Sequence, residues 1–512
     1  MKLLSTLLAM AALVLSGCGS VDRHPERLES SAYPASSKGV LTSVSREAVS
    51  QFPKGHSGFH LLEEAEEALQ WRLALADHAT SSIDMQYYLW NTDETGILLL
   101  SRVIDAADRG VRVRLLLDDF LFKGEEERLA ALCHHPNVEV RIFNPQFARG
   151  GIASKLEVLL RFQQLNRRMH NKAFIVDNRF AILGGRNIGD EYFGLSQEYN
   201  FLDLDVLTVG PVIADASKSF DLFWNSTLAY PGEAFSPETT SAETPGVVAE
   251  IREAARNDRG NLVESPYPRR SRDWSREFAG LQNQWHTGFA TLIDDAPTEE
   301  GEGVEGRFVE QAISRGFTPT SRELIFTSPY LIPNRQLHEI IQGHVDKGIE
   351  IRLLTAGMGS NNHLMVHSHY RKHRRSLLRD GVKLFEIRED AEEKIRASAD
   401  VAPIRSDKLA LHVKSGVWDR SRCFIGSLNL DPRSIDLNTE NGLFIDSPGL
   451  SEELADHLEG LMDPDHSWEV SLEKGTLHWN SRDEEVTRQP APDQRSRVMD
   501  FFFGLLPIQH LL

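Results

Sequence analysis

Two histidines, two lysines and two asparagines recur in this chain at a single spacing. His170, Lys172 and Asn187 in MHNKAFIVDNRFAILGGRN return as His412, Lys414 and Asn429 in LHVKSGVWDRSRCFIGSLN, each pair 242 positions apart; Asp177/Asp419 and Gly184/Gly426 keep the same offset. Upstream, DRGVRVRLLLDD (Asp108 to Asp119) parallels DKGIEIRLLTAG (Asp346 to Gly357) at an offset of 238. A near-constant offset through otherwise dissimilar residues marks an internal duplication.

The residue types point to phosphodiester chemistry. In a strand, alternate side chains share a face, so His170 and Lys172, and likewise His412 and Lys414, meet one substrate group from the same side, while Asn171 points away. An imidazole nitrogen can attack phosphorus to give a covalent phosphohistidine, dividing one difficult displacement into two easier ones. The second imidazole then protonates the leaving alcohol. Lys172, Lys414, Asn187 and Asn429 can donate to the oxygens where charge gathers, so neither a metal nor another cofactor is expected.

The acids divide into two kinds. Asp177 and Asp419 each close an apolar strand (AFIVD, SGVWD) ahead of turn-prone residues, which predicts a structural role in a hairpin turn. Glu440 in LNTENG and Asp203 in FLDLDV are better placed to hold an imidazole, because a carboxylate on one ring nitrogen fixes the tautomer and supports the imidazolium. Asp203 and Asp205 share a strand face, but no His or Glu cluster with ligand spacing accompanies them, which disfavours a metal site.

These groups need a scaffold. At 512 residues the chain exceeds what one core normally supports, so two domains are expected. Leu61 to Ala79 has helical spacing, Ile83 to Trp90 reads as a strand, Gly96 to Gly110 as a helix and Val111 to Asp119 as a buried strand, together a parallel βαβ unit. Val138 to Asn144 adds a strand before the first motif, and ELIFTSPYLI, QLHEIIQGHVDKG, IEIRLLTAG and VKLFEI repeat the plan before the second. Between them, Tyr230 to Pro319 reads as a linker with an extra helix and a strand near Thr287 to Asp294. Trp71, Trp90 and Trp418 fall in apolar periods and are expected in the core.

The first residues, MKLLSTLLAMAALVLSGCGS, have the layout of a secretory signal too short to span a membrane comfortably. Leu15-Ser16-Gly17-Cys18 resembles a bacterial lipobox, which implies cleavage before Cys18 and acylation of its thiol. The Ser- and Pro-rich stretch that follows reads as a tether. Cys133 and Cys423 are expected as buried free thiols. A formal net charge of −19 argues against a nucleic-acid binder that relies on an overall positive field. Local basic runs stand out against it: Arg371, Lys372, Arg374, Arg375 and Arg379 fall on one short helix, as a solvated face or an anionic-headgroup surface, whereas RRSR (Arg269 to Arg272) reads as linker. The closing MDFFFGLLPIQHLL is apolar enough to dock on the body or to lie in a lipid interface, docking being the commoner fate.

The paired motifs, with GGRNIGDEYF, GSLNLDPRS, LNTE and the LDLDV strand, resemble the phospholipase D superfamily. The order of features, including MQYYLW, NRRMHNK and the closing LLP segment, is similar to the bacterial cardiolipin synthase C-type family. The resemblance implies an α/β fold of two duplicated phospholipase D-like halves, each a mixed sheet flanked by helices, with the active site at their interface. It implies His170 or His412 as nucleophile, both lysines and both asparagines as phosphate ligands, Glu440 as a histidine partner and Asp203 as the counterpart for His170. The expected organisation is a lipoprotein signal peptide at 1–17, a tether at 18–55, an N-terminal half at 56–230, a linker and insertion at 231–319 and a C-terminal half with an apolar tail at 320–512. The implied reaction transfers a phosphatidyl group to phosphatidylglycerol, forming cardiolipin; hydrolysis of phospholipid or nucleic acid at the same site is the alternative. The implied partners are anionic and zwitterionic phospholipids and a membrane surface, with no nucleic acid, for an exported lipoprotein anchored through Cys18.

Overall fold

The computed structural model describes residues 24–119, 125–149, 151–235, 239–257, 260–297, 320–391, 393–482 and 484–512. Cys18 and the signal segment lie outside the described residues.

The first half runs through β1 (Ser57–Leu62), β2 (Ser82–Tyr87), β3 (Arg112–Asp118), β4 (Val138–Phe143), β5 (Ala173–Val176), β6 (Phe180–Gly184), β7 (Tyr199–Leu202), β8 (Asp205–Val209) and β9 (Ala229–Pro231). Strands β2, β3 and β4 are parallel. The apolar run after Asp93 forms the crossover helix Glu94–Asp108, capped where the Asp93 carboxylate accepts the Gly96 N–H. Antiparallel β5, β6, β8 and β1 complete a mixed sheet.

The second half repeats the plan with β10 (His286–Asp294), β11 (Glu323–Thr327), β12 (Glu350–Ala356), β13 (Lys383–Ile387), β14 (Lys408–Leu411), β15 (Ser415–Trp418), β16 (Arg422–Gly426), β17 (Asn441–Asp446) and β18 (Ser467–Glu473). Here β11, β12 and β13 are parallel, and β15, β16 and β17 continue antiparallel. The duplication seen in the motifs is therefore a duplication of the sheet.

One strand sews the two sheets together. His286 to Gly288 of β10 pair with β1, and Phe289 to Asp294 pair with β17. Behind this seam a single core takes Ile175, Leu183 and Val206 from the first sheet and Val417, Ile425 and Ile445 from the second. Phe220 and Trp224 of the helix Ile213–Trp224 and Leu454 and Leu458 of the helix Pro448–Met462 fill the space between them. A close-packed apolar interface of this kind holds the halves in one register.

Two expectations need correction. The described part of the expected tether is laid on the first half: the Ala32 N–H meets the Asp221 carboxylate at 2.8 Å, Arg112 lies 3.6 Å over the Tyr33 ring, and the helix Gly39–Gln51 buries Leu41 and Ala48. Its few apolar positions gave no periodic signal; contacts with the body supply the order. Much of the expected linker is likewise integral. The helix Thr244–Ala255 packs Val248 and Ile251 on Ile104 and Leu132, and Phe278 meets Trp71 edge-on at 5.6 Å.

Candidate active site

Each motif enters its half just ahead of a strand, His170 before β5 and His412 before β15, and each is fixed by backbone pairing with the other half. The His170 N–H donates to the Thr439 carbonyl at 2.9 Å while the Thr439 N–H donates to Arg168 at 2.8 Å. In the second motif β14 runs parallel to β7, and the His412 N–H donates to the Leu202 carbonyl at 2.8 Å. The residue after each accepting carbonyl is an acid. Glu440 Oε2 thus lies 2.8 Å from His170 Nδ1, and Asp203 Oδ2 lies 2.6 Å from His412 Nδ1.

The carboxylates are therefore exchanged between halves. Asp203, expected as the counterpart of His170, belongs to His412. The register of β7 against β14 decided this, and spacing along one chain does not reveal a pairing made between two duplicated halves.

Lys172 and Lys414 are buried and each donates to the carbonyl of its own motif histidine. Burial brings Lys172 down to about 7 and Lys414 down to about 8, and each lies close enough to lower the other or its histidines. Burial also holds the His170 imidazole well below its ordinary value, helped by Lys172, Lys414 and Arg433, and takes His412 down to about 3 despite Asp203. A site that desolvates two lysines beside two imidazoles suits an anion, whose charge would restore the protonated forms.

The two acids differ. Burial pushes Glu440 up to about 7, although Lys172 and a hydrogen bond from Ser427 oppose it. Burial also acts on Asp203, but there His412, Lys414 and Arg186 outweigh it and keep the carboxylate below its ordinary value. The duplication places Gly185 where the second half has Ser427. A Cβ on Gly185 would come within 2.2 Å of Asp203 Oδ1, so that glycine is the space the shorter acid occupies.

Asn187 and Asn429 sit on the loops after β6 and β16. Asn187 Oδ1 accepts the Leu89 N–H at 3.3 Å and its Nδ2 donates to the Tyr192 hydroxyl at 2.9 Å, while Asn429 Nδ2 reaches Ser434 Oγ at 3.3 Å. Asp177 and Asp419 stand at the opposite strand ends, in turns with φ of 56° and 53°. Asp177 accepts the N–H groups of Thr80, Ser81 and Ser82, and Asp419 those of Ser321, Arg322 and Glu323. Asp205 is paired with Arg72 at 2.8 Å and Asp203 with His412, and no cluster of three metal-ligating side chains occurs among the described residues.

Sequence reasoning missed several residues of the site. Asn441 exchanges two hydrogen bonds with the Lys172 backbone, at 3.1 and 3.2 Å, and Asn171 accepts from the Thr439 hydroxyl at 2.7 Å. The Tyr88 ring stands edge-on to His170 at 5.1 Å, and that of Tyr330 to His412 at 6.5 Å. Tyr88 and Tyr330 are themselves 242 positions apart, a signal present in the sequence. The basic run proves divided: Arg374 is buried against Glu386, and Arg371 reaches Asp500 at 2.9 Å. Trp71 and Trp418 lie in the core and Trp90 packs against it; Cys133 and Cys423 are free, half-buried and buried.

Known proteins resemble this chain in sequence and fold. The family described as cardiolipin synthase, PLD-like domain, matches residues 73–224 and 315–462, which are the two sheet-bearing halves. Cardiolipin synthase C of Escherichia coli (strain K12) is 34% identical over 472 residues, 90% of this chain and 98% of that protein. A cardiolipin synthase of Clostridium perfringens (strain SM101 / Type A) is 24% identical over 399 residues, 76% of this chain and 67% of that protein. The crystal structure of phosphatidylserine synthase from Haemophilus influenzae Rd KW20 covers 91% of this chain and 100% of its own with a TM-score of 0.57 at 14% identity, a likeness of fold. With both halves matched by one family and nearly the whole chain aligned to a relative, the chain belongs to the phospholipase D superfamily, in its cardiolipin synthase-like branch of phosphatidyltransferases.

Proposed function

We propose that this phosphatidyltransferase forms cardiolipin by moving a phosphatidyl group onto the hydroxyl of phosphatidylglycerol through a phosphohistidine. The observation that carries the reading is the exchanged pair His170–Glu440 and His412–Asp203, at 2.8 and 2.6 Å, around two buried lysines. With Nδ1 of each ring engaged by a carboxylate, Nε2 is the nitrogen available to substrate. His170 Nε2 attacks phosphorus, the phosphorus–oxygen bond to the leaving alcohol breaks, and a proton from His412 Nε2 goes to the departing oxygen. His412 then takes the proton of the acceptor hydroxyl as its oxygen attacks phosphorus and releases His170. Asp203, the carboxylate kept ionised, favours the imidazolium on His412, whereas His170, which burial keeps neutral, donates its Nδ1 hydrogen to Glu440 and keeps the Nε2 lone pair for phosphorus. Lys172, Lys414, Asn187 and Asn429 serve the phosphoryl oxygens.

Transfer competes with hydrolysis, and an acceptor held in a largely dry cleft can outrun water through effective molarity, on the order of 10⁵ M or more in well-oriented cases. Purified protein in vesicles of phosphatidylglycerol and phosphatidylethanolamine is expected to form cardiolipin faster than phosphatidic acid, read by mass spectrometry, and His170→Ala to abolish both. Phosphatidic acid as the dominant product at every donor ratio would assign the site to hydrolysis instead. The protein is read as a lipoprotein held at the membrane through Cys18, and a mature amino terminus that still begins at Met1 would overturn that assignment. Among the described residues no helix is long and apolar enough to cross a membrane.

A further inference from the structure

Two exposed apolar clusters, far apart in sequence, stand on segments that Arg433 joins. In the first half the helix Gly151–Leu160 and the turn after it present Leu159 and Leu160, 74% and 75% exposed, with Phe162. In the second half the helix Gln494–Phe503 and the chain beyond it present Phe501, Phe502 and Leu505 at 54%, 61% and 65%. The closing segment does dock on the body, but through its polar side: Asp500 is buried against His367 and Arg371, which leaves the phenylalanines outside.

Arg433 ties the clusters together. Its guanidinium donates to Asn166 Oδ1 at 2.9 Å, to the Asn166 carbonyl at 3.0 Å and to the Leu511 carbonyl at 3.2 Å, and its N–H donates to the Leu512 carbonyl at 2.8 Å. Asn166 is four residues before His170, Arg433 four after Asn429, and the Arg433 charge bears on His170. The clamp thus joins the segments that carry both apolar clusters, and in sequence it stands four residues from His170 and from Asn429.

We propose that the two clusters form one docking face at the mouth of the cleft whose occupant is an anionic phospholipid bilayer. The inference rests on the reading of the site as one that acts on membrane lipids. Charge selects the occupant. Residues 151–168, 364–379 and 494–512 carry eleven Lys and Arg against two carboxylates, in a chain with 56 basic and 75 acidic residues; of the eleven, Arg168 and Arg374 are buried against Asp118 and Glu386 and the other nine remain. Those two carboxylates, Glu157 and Asp500, are themselves buried against Arg161 and Arg371. Apolar side chains on segments with this excess of Lys and Arg match an anionic interface, where phenylalanine and leucine enter the acyl boundary and the cations meet headgroups. A second copy of the same cationic face would instead be repelled.

The full chain carrying Cys18→Ser, which removes any acyl anchor, is tested by co-sedimentation with vesicles of phosphatidylglycerol and phosphatidylethanolamine and with vesicles of phosphatidylcholine. Binding is expected on the anionic vesicles, weakening with salt. The double variants Leu159→Glu/Leu160→Glu and Phe501→Glu/Phe502→Glu are each expected to bind at least about tenfold more weakly, with turnover of vesicle lipid falling in step. Their cleavage of bis(4-nitrophenyl) phosphate in solution stays unchanged, because the substituted side chains are exposed. Unchanged vesicle binding would overturn the proposal, as would an equal loss of the soluble reaction, which would make the clusters part of the fold. Variants that turn a dimer into a monomer while binding vesicles normally would assign the face to a second copy. Wild-type protein that docks through this face yet makes no lipid product would uphold the docking and overturn the transferase reading.

Discussion

Replacing Asp203 by Asn keeps the shape of the group 2.6 Å from His412 Nδ1 and removes its charge. Unit charges roughly 4 Å apart at an effective dielectric near 20 attract by about 4 kcal/mol. At about 1.4 kcal/mol per factor of ten, the imidazolium of His412 is weakened roughly a thousandfold. If His412 is the proton donor, kcat on a lipid substrate falls by that order, because an alkoxide leaves poorly without a proton. A 4-nitrophenolate leaves without one, so the stopped-flow burst of nitrophenol from bis(4-nitrophenyl) phosphate is expected to fall by less than about tenfold. Glu440→Gln, acting on the nucleophile, is expected to slow both substrates in equal proportion. Asp203→Asn slowing both equally would refute the acid role of His412, and the reversed pattern would make His412 the nucleophile.

Other expectations follow from the same geometry. Lys172 stands at about 7 in the folded chain, against about 10.4 unfolded; between these values the unfolded chain binds more protons, so its contribution to stability rises with pH. Lys172→Met is accordingly expected to stabilise the free protein in urea titrations, by on the order of 1–4 kcal/mol, while abolishing turnover and the thermal stabilisation by inorganic phosphate. For activity the sign reverses: loss of charge from Lys172 and Lys414 as pH rises through about 7 and 8 is expected to lower kcat/KM for an anionic substrate. Gly185→Ala, whose Cβ would meet Asp203 Oδ1 at 2.2 Å, is expected to move that carboxylate off His412 and reproduce the leaving-group dependence of Asp203→Asn. Asp177→Ala removes the acceptor of three N–H groups; it is expected to cost about 1–3 kcal/mol of stability with kcat of the folded protein unchanged, and a loss of kcat matching that of His170→Ala would show a catalytic role instead.

Much of this was legible in the residues themselves. The 242-residue offset brought out both histidines, lysines and asparagines, and the apolar runs Gly96 to Gly110 and Val111 to Asp119 matched the helix Glu94–Asp108 and strand β3. Side-chain type and local period carry such information because strand alternation and helix amphipathicity act over a few residues. What failed was long-range. The helix Gly39–Gln51 is ordered by the body it rests on, and β10 acts as the seam because β1 and β17 each offer it an edge.

The sequence by itself determined which groups are candidates for the chemistry and that they come in two copies, since that depends only on residue identity and spacing. The tertiary structure decided which acid serves which histidine. Glu440 reaches His170, and Asp203 reaches His412, because Thr439 pairs with the first motif and β7 with β14 across the interface. It also decided that Asn441 supports Lys172, that burial lowers both lysines toward neutral pH, and that Phe501 and Phe502 face outward. Each of these depends on distances and desolvation set when the two sheets close on one core, which spacing along a single chain does not encode.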